Sequence, residues 1–446
     1  VISIAMNVIE KNYKHLSHAD ALELLGSILQ SPNQYADDPV LSKISKALLP
    51  KPKSVNEEIA LNENGIPFNV FGRDQIEEGA FKQMRNAARL PVSVAGALMP
   101  DAHSGYGLPI GGVLATENVV IPYGVGVDIG CRMCLSVFDA DPVQLNEKEH
   151  YYKKLLNDHT LFGSGRQFEN PSDHEVLYRK EFDETGLLKG LHEKAEKQIG
   201  TSGSGNHFVE FGIVEVPEDD NVSGLPQGKY IGLLSHSGSR GLGASIANHY
   251  TKIAKEKRKL PGEAANLAWL ELNEQEGIEY WMSMTLAGDY ASACHHIIHD
   301  KIVNELKMPL LKRIENHHNF AWKEKYNGKE VIVHRKGATP AGKNMLGIIP
   351  GSMSAPGFIV KGKGEEGSLN SASHGAGRVM SRTAAIKTIT HNHLKEVLTK
   401  NGVVLMGGGL DEAPMAYKDI HEVMRAQQQL VEIVGKFYPK IVRMDG

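Results

Sequence analysis

The sequence predicts a mixed α+β fold, organised as one large domain with a helical addition at its N-terminus. Short apolar runs rich in β-branched residues and bounded by glycines indicate strands, and they recur from residue 66 onwards. Longer stretches with helical periodicity lie between them, above all within residues 145–200 and 244–307. The chain has 446 residues, enough for a large core. We therefore expect an α+β domain over residues 55–446 and a helical extension over residues 1–50.

The extension is predicted to be helical because its apolar residues recur at helical spacing. This stripe consists of Ala21, Leu22, Leu24, Leu25 and Ile28. Ser17 or Asp20 suits the N-cap, where a short side-chain oxygen accepts a hydrogen bond from a free amide of the first turn. A Pro/Lys segment at residues 50–54 then indicates a linker to the main domain.

The main domain begins with a predicted strand at residues 66–71 and a predicted helix at residues 74–88. Its most glycine-rich stretch, GVGVDIGC at residues 124–131, alternates glycines with β-branched residues. Glycine permits tight turns and close approach of the backbone to a ligand. The pattern therefore indicates a turn that leads into a strand at Arg132–Phe138.

Asp128 and Cys131 lie three residues apart on this turn and can direct an oxygen and a sulfur at one point, as a metal requires. Two other interpretations of the thiol stay open. Cys131 is a plain core cysteine in the first, and in the second it forms a C-x-x-C redox pair with Cys134. A redox pair usually opens a helix, whereas a strand is predicted here.

Two later loops each place a histidine beside glycines and next to an apolar strand, the second of which is predicted at residues 230–234. The candidate residues in these loops are Asn206, His207, Glu210, His236 and Arg240. Ligands and catalytic groups often occupy such loops. A histidine that only hydrogen-bonds its own loop is the alternative for each.

Long helices are predicted over residues 244–307, where His295 and His299 lie one helical turn apart. We expect a solvated histidine cluster there rather than a metal site, because no glutamate or glycine loop accompanies the two rings. His318 follows at what we predict to be the end of another helix, and its position makes it a ligand candidate.

The C-terminal third supplies two loops suited to phosphate, followed by a final helix and strand. The loop at residues 348–354 offers free amides and hydroxyls, among them that of Ser352. The second loop combines glycines with His374 and Arg378, and Arg382 follows it. Carboxylate, thiolate and imidazole suit a borderline divalent metal, and arginines with loop amides suit phosphate. Together these groups indicate phosphoryl or nucleotidyl transfer.

Composition limits the partners and the location. A formal net charge of -4 gives no global electrostatic reason for nucleic-acid binding, so any such binding must rest on a local patch. Three cysteines, an odd number, argue for a reducing compartment. No apolar run of transmembrane length and no signal peptide is visible, and we expect a cytoplasmic protein that does not associate with membranes.

Nine short motifs follow one another along the chain: DAHSGYG, GVDIGCRM, GSGNHF, HSGSRG, HRKGA, IPGSM, SHGAGR, SRT and DEAPMAYK. Together they closely resemble the RtcB family of RNA-splicing ligases. The resemblance covers roughly residues 65–446, and its motifs are highly specific, while no Walker-type signature occurs in the sequence.

The resemblance implies an RtcB-like fold, with mixed sheets around a deep metal-binding cleft, and the activity of a GTP- and Mn²⁺-dependent RNA ligase. In that chemistry an active-site histidine attacks the α-phosphate of GTP and forms a histidine–GMP intermediate. GMP then passes to an RNA 3′-phosphate, and an RNA 5′-hydroxyl attacks the activated end and releases GMP. A 2′,3′-cyclic phosphate end is opened first. RNA repair or tRNA splicing is the implied role, and archease is an implied protein partner.

Matched position by position, the resemblance also assigns roles to the candidate residues. The implied ligands of two Mn²⁺ ions are Asp128, Cys131, His207, His236 and His318, with Cys131 as the bridge. The implied nucleotide contacts are Asn206, Glu210, Ser352 and Tyr417, together with His374, which is the implied guanylylated nucleophile. The implied contacts to RNA-end phosphates or the triphosphate are Arg240, Arg378 and Arg382. We expect the RNA to follow a basic strip near Arg335, Lys336, Lys361, Lys363 and Arg378.

The sequence departs from the family pattern at three sites. The chain ends in Asp-Gly at residues 445–446 where Lys-Gly is usual, Gly357 stands where a serine contact is common, and Cys-His replaces Asn-Arg at residues 294–295. The altered C-terminus favours one alternative, a metal-dependent RNA-end phosphodiesterase or cyclic-phosphate hydrolase without ligation. A non-catalytic nucleotide- or RNA-binding protein is the other, and the intact His374 with its full ligand set speaks against it.

Overall fold

The computed structural model describes residues 5, 8–9, 11–13, 15–35, 38–48, 58–220 and 222–446. The chain divides into two compact units, residues 1–57 and 58–446. Its mixture of helices and strands confirms the predicted α+β class. The linker predicted at residues 50–54 lies outside the described residues, and the assignment of the units as an extension and a catalytic domain stays a prediction.

The described part of the first unit contains α1 (His18–Gln30) and α2 (Ser42–Leu48). Ser17 caps α1, as predicted, because its hydroxyl oxygen accepts an amide of the first turn at 3.2 Å. Ile28 is the fully buried member of the predicted stripe, whereas Leu22 is exposed.

Helices of the second unit flank its sheets. They are α3 (Glu78–Ala88), α4 (Pro122–Val125), α5 (Gln144–Glu147), α6 (Glu149–His159), α7 (Glu181–Glu184), α8 (Gly186–Gln198), α9 (Arg240–Lys257), α10 (Gln275–Leu306), α11 (Arg382–Thr388), α12 (His391–Asn401) and α13 (Ile420–Arg425). The largest apolar cluster joins α3, α9 and α10 and includes Phe81, Ile246 and Leu286. Within the described residues, no helix combines the length and the hydropathy needed to cross a lipid bilayer.

The strands, like the helices, are given in chain order. They are β1 (Phe68–Val70), β2 (Ser93–Tyr106), β3 (Leu108–Thr116), β4 (Val119–Val120), β5 (Arg132–Phe138), β6 (Phe208–Val216), β7 (Gly228–Ser237), β8 (Leu270–Glu271), β9 (Leu310–His317), β10 (Phe320–Tyr326), β11 (Lys329–Lys336), β12 (Ala338–Pro340), β13 (Leu346–Ile349), β14 (Gly357–Gly362), β15 (Ser371–Ser373), β16 (Val404–Met406) and β17 (Val431–Met444). The strand predicted after the glycine-rich turn is confirmed as β5, and the one predicted at residues 230–234 as the centre of β7.

Two larger sheets form the frame of the second unit. One has the strand order β1-β2-β3-β11-β10. The other, here called the site sheet, has the order β13-β14-β17-β6-β7-β5-β9, with β16 beside β17. Two short pairs, β12 with β15 and β4 with β8, lie outside these sheets. The long helix α10 packs against β5 and β7 of the site sheet.

The prediction that His318 ends a helix is wrong, because it directly follows strand β9. Ile314, Asn316 and His318 are buried and alternate with more accessible neighbours. This period of two is typical of a strand. The polar residues interspersed with the apolar ones hid that alternation in the sequence.

The predicted basic strip is wrong at three of its five residues. Arg335 is fully buried and pairs with Glu324 at 2.6 Å, and Lys336 is only 8% exposed. Lys361 is held by Asp220 at 3.2 Å. Strand β11, which carries the first two of these cations, lies inside its sheet between β3 and β10, so its side chains are covered.

Candidate active site

Two strands of the site sheet begin and two end at the same side of the sheet, and each carries a candidate ligand there. His207 precedes β6, His236 lies near the end of β7, Cys131 precedes β5 and His318 follows β9. Antiparallel pairing of β6 with β7, β7 with β5 and β5 with β9 places these ends side by side. Asp128 joins them from the turn before Cys131. We call these five residues the ligand cluster.

The ligand atoms of the cluster lie close together. Cys131 Sγ is 3.2 Å from His236 Nε2 and 3.6 Å from His207 Nε2. His207 Nε2 is 3.0 Å from Asp128 Oδ2, and the Nε2 atoms of His236 and His318 are 3.3 Å apart. Cys131 thus belongs to two ligand groups, one with Asp128 and His207 and one with His236 and His318. A sulfur shared in this way suits a bridged pair of divalent metal ions.

The charge states of the cluster favour metal ligation. Burial and the neighbouring Asp128 raise the pKa of the Cys131 thiol well above its usual value. Burial also tends to raise the pKa of Asp128, but the hydrogen bond and charge of His207 and the charge of Arg240 hold it well below its usual range. Burial lowers the pKa of His236 to about 3. The carboxylate and imidazole are therefore ready to bind a metal, and a divalent cation supplies the charge that ionises the thiol.

The hydrogen-bonding state of two histidines also suits metal binding by the ligand cluster. His236 Nδ1 donates to the carbonyl oxygen of Asn206 at 3.1 Å, which leaves Nε2 free for a metal in the arrangement usual for metal-binding histidines. His318 Nδ1 is buried and has no hydrogen-bond partner among the described residues. An unpaired buried nitrogen is costly. An ion bound at Nδ1 would offset that cost, whereas an ion bound at Nε2 would leave it.

Two glycines keep space open around the cluster. A Cβ at Gly238 would lie 2.0 Å from Asp128 Oδ1, so any side chain there displaces the carboxylate. A Cβ at Gly203 would lie 1.2 Å from the guanidinium of Arg240, and the φ of Gly203 is +80°. The glycine content of these loops is thus explained by close approach to functional side chains.

A cavity of about 290 Å³ adjoins the ligand cluster, and His236 of the cluster lines it. We call it the polar cavity after the polar and charged side chains named next, which lie among apolar ones. The predicted nucleotide and phosphate residues that line it are Asn206, Glu210, Ser352, His374, Arg378, Arg382 and Tyr417. Arg240 is the exception, because it lies in a separate pocket with Asp128 and His207.

Two carboxyl groups and two arginines line this cavity. Burial raises the pKa of Glu210 well above its usual value, with no other contribution. Tyr417 donates its hydroxyl to Glu412, whose pKa is raised chiefly by burial. The guanidinium of Arg378 lies over the Tyr417 ring, 5.1 Å from its centroid, and Arg382 pairs with acidic neighbours.

His374 lies between the cavity and the ligand cluster. Its ring centroid is 5.0 Å from that of His318. Its Nδ1 is 2.7 Å from Asp101 Oδ2, and the same oxygen accepts the His374 backbone amide at 3.1 Å. Although burial tends to raise the pKa of Asp101, the hydrogen bond and charge of His374 lower it, so the carboxylate is ionised. Nδ1 is therefore the ring nitrogen that donates to Asp101, and Nε2 is the nitrogen that this hydrogen bond leaves free.

Sequence reasoning missed two residues at this site. Asp101 lies within the motif DAHSGYG but was given no role, although a lone carboxylate after an apolar run was the available signal. Lys336, expected on a surface strip, lines a pocket with Asp128, Cys131 and His318. Burial lowers the pKa of Lys336 to about 7.

The prediction that this histidine cluster is solvated is wrong for His295 and His299. His295 and His299 are fully buried, because they lie on the face of α10 that packs against β5 and β7. Their neighbour His296 is partly exposed and pairs with Glu315.

The fold and the site define a class of α+β protein in which a buried Cys/His/Asp ligand cluster adjoins a polar cavity. Comparisons with known sequences give the family. Residues 83–445 match the family described as "tRNA-splicing ligase RtcB". The RNA-splicing ligase RtcB of Escherichia coli (strain K12) is 32% identical over 412 residues, which cover 85% of this chain and 97% of that protein.

Two archaeal relatives extend the comparison. The tRNA-splicing ligase RtcB of Nanoarchaeum equitans is 29% identical over 90% of this chain and 98% of its own. That of Thermococcus kodakarensis is 29% identical over 84% of this chain and 94% of its own. This chain belongs to the RtcB family, as its motifs predicted.

We expect Gly238→Ala to weaken divalent-metal binding by about tenfold or more, because the added Cβ displaces the Asp128 carboxylate. Calorimetric titration with Mn²⁺ measures the affinity. Gly262→Ala is the matched control, since nothing lies within 4 Å of a Cβ at that position. Unchanged Mn²⁺ affinity in folded Gly238→Ala protein would contradict the role of Asp128 as a ligand.

Proposed function

We propose that this protein is a GTP- and Mn²⁺-dependent RNA ligase that joins RNA 3′-phosphate or 2′,3′-cyclic phosphate ends to 5′-hydroxyl ends. The observation that carries the proposal is the position of His374, which lies between the ligand cluster and the polar cavity with its proton held by Asp101. The relatives, which are named RNA- or tRNA-splicing ligases, support ligation as the outcome. GTP, Mn²⁺ and the chemistry of the RNA ends follow from the motif resemblance.

The ligand cluster is the proposed site of two Mn²⁺ ions, with Cys131 common to both. One ion is assigned to Asp128 and His207 and the other to His236 and His318. When bound, the ions polarise the α-phosphate and neutralise charge on the leaving pyrophosphate. Cys and His ligands by themselves favour zinc, so the choice of manganese depends on the family resemblance alone.

Metal ligation at His207 also changes what Arg240 can do. Without a metal, Arg240 donates to His207 Nδ1 at 3.1 Å. A neutral imidazole that gives its Nε2 lone pair to a metal must carry its proton on Nδ1, and it can then no longer accept from Arg240. A metal ion held by His207 Nε2 would therefore leave the guanidinium of Arg240 free to bind a phosphate in its pocket.

The proposed reaction begins at His374 Nε2, whose lone pair attacks the α-phosphorus of GTP. The bond between that phosphorus and the bridging oxygen breaks, and pyrophosphate leaves. A 3′-phosphate oxygen of the RNA next attacks the same phosphorus and expels His374, which regains its free lone pair. The 5′-hydroxyl then attacks the activated RNA 3′-phosphorus, loses its proton and expels GMP. Asp101 keeps the ring in the reactive tautomer throughout.

The polar cavity is the proposed binding site of the guanine nucleotide. A guanine base presents two adjacent N–H donors on one edge, and the carboxyl group of Glu210 provides matching acceptors once it is ionised. Asn206, Ser352 and Tyr417 are proposed as further nucleotide contacts. Arg378 and Arg382 are proposed to exchange their present acidic partners for phosphate oxygens.

Hydrolysis without ligation is the less favoured alternative. A phosphodiesterase needs neither a nucleotide cavity nor a histidine held as a nucleophile. The cavity beside the ligand cluster and the hydrogen-bonded His374 suit those two roles, and this favours the ligase. The changed C-terminal residues are the observation that keeps the alternative in view. The labelling experiment described below distinguishes the ligase from the hydrolase.

The remaining parts of the proposal concern location and partners. A metal-binding thiolate at Cys131 requires a reducing environment, and all three cysteines are free. We therefore place the protein in the cytoplasm. RNA repair or tRNA splicing is its proposed role, and archease is a partner that the family resemblance implies.

Incubation with radiolabelled GTP and Mn²⁺, followed by denaturing electrophoresis, tests the proposal. We expect a labelled protein band that is lost in His374→Ala and retained in His391→Ala, where an exposed histidine is removed. Absence of the band from folded, Mn²⁺-loaded protein would contradict the nucleotidyl-transfer step. Cleavage of a cyclic-phosphate RNA end by that same protein would then support the hydrolase.

We expect Asp101→Asn to slow formation of the labelled adduct by on the order of 100-fold or more, because an amide can donate to Nδ1 and move the ring proton to Nε2. Single-turnover kinetics over a range of pH measures this. Asp183→Asn is the matched control, because its side chain is 80% exposed. A rate equal to that of the unaltered protein would show that His374 does not depend on Asp101.

We expect GTP binding to release a proton from Glu210, so that affinity falls as the pH is lowered. The raised pKa keeps the free carboxyl protonated, and two N–H donors of guanine stabilise its ionised form. Calorimetry in two buffers that differ in ionisation enthalpy measures the proton release, in the His374→Ala background to prevent adduct formation. The Glu210→Gln variant should bind GTP without releasing this proton. Equal proton release in both proteins would exclude Glu210 as the titrating group.

A further inference from the structure

A second group of metal-ligating side chains lies behind the ligand cluster. Successive residues of a strand point to opposite faces of the sheet, so Ser235 of β7 faces away from the side on which His236 joins the cluster. Cys134 of β5 pairs directly with Ser235 and shares its face. Helix α10 packs against this face and directs His295 and His299 towards both residues, one helical turn apart.

The three ligand-type side chains, Cys134, His295 and His299, meet inside the core. One ligand atom from each lies within 4.8 Å of the others, and all three residues are fully buried. Ile298 and Ile302 of α10 belong to the same buried apolar cluster as Leu233 of β7. A thiol and two imidazoles are the donors that structural zinc sites use.

The outer nitrogen of each ring is already fixed. His295 Nε2 donates to the carbonyl oxygen of Ser237 at 3.1 Å, and His299 Nδ1 lies 2.8 Å from the hydroxyl of Ser136. Metal-binding histidines usually have their second nitrogen held by an oxygen in this way, which sets the tautomer and the ring orientation.

The inner nitrogens, His295 Nδ1 and His299 Nε2, converge on a single point. Ser235 Oγ occupies that point, 2.6 Å from the first nitrogen and 2.8 Å from the second. Binding of an ion at this point requires Ser235 to rotate about its Cα–Cβ bond and move the oxygen from between the rings. The point at which both rings aim then becomes available to an ion.

We propose that Cys134, His295 and His299 form a third metal position, which binds a structural Zn²⁺ ion on the far side of the site sheet. The ion ties α10 to β5 and β7, the two strands whose ends carry Cys131 and His236. It takes no part in phosphoryl transfer. Its role is to fix the spacing of the strands that present the catalytic ligands, and it is independent of the function proposed above.

Cobalt substitution tests this proposal, because Co²⁺ bound to a thiolate gives a charge-transfer band in the near ultraviolet. The full-length chain carries Cys131→Ser, which removes the thiol of the ligand cluster. The cells are grown with Co²⁺ in place of Zn²⁺ so that a buried site fills during folding. We expect the purified protein to show the thiolate–cobalt band, and the Cys131→Ser, Cys134→Ser double variant to lose it.

Two controls keep the result interpretable. Ser235→Ala in the Cys131→Ser background should retain the band, because its hydroxyl is not a proposed ligand. X-ray absorption at the cobalt edge of the Cys131→Ser protein should show one sulfur and two imidazole nitrogens around an ion, even if the double variant does not fold.

Three results would overturn the proposal. The first is folded Cys131→Ser protein that carries no thiolate–cobalt band, which would leave Ser136, Ser235 and the two histidines as a hydrogen-bonded network only. The second is a band that persists when Cys134 is also replaced, since Cys294 would then be the thiolate. The third is an absorption spectrum without sulfur in the first coordination sphere.

Discussion

Antiparallel pairing of β6, β7, β5 and β9 is the constraint on which the rest of the site depends. Four strands that run in alternating directions bring two strand starts and two strand ends to one edge of the sheet. Their registers are set by apolar faces, with Leu135 opposite both Leu234 and Ile314. A slip of one residue turns every side chain to the other face. The convergence of the metal-type ligands is therefore a consequence of core packing.

Burial gives the converged groups their chemical character. In a low-dielectric setting an imidazole stays neutral, a thiol keeps its proton and a carboxylate ionises only beside a positive neighbour. Cys131, His236 and Asp128 show these three behaviours at one place. A divalent cation satisfies all of them together. The same principle applies in the polar cavity, where Glu210 lacks a counter-charge and Arg378 and Arg382 hold acidic partners that a phosphate can replace.

The residues that sequence reasoning found are those whose signal is local. The glycine-rich turn predicted β5, and the position of Cys131 before it followed directly. The features that the sequence did not reveal depend on contacts between distant parts of the chain. Asp101 and His374 are 273 positions apart, and only the fold shows that they share a hydrogen bond. Arg335 was expected at the surface because its charge was visible, whereas the strands that cover it were not. Burial of His295 and His299 depends likewise on the packing of α10.

Because Cys131 belongs to both ligand groups, its oxidation affects both groups together. Cys131 is the thiol of the cluster, so one peroxide molecule that oxidises this sulfur removes a ligand from both groups in a single event. If both groups bind metal as proposed, neither would keep its sulfur ligand after such damage. In the proposed enzyme, oxidation would therefore inactivate whole molecules rather than lower the activity of each one by degrees.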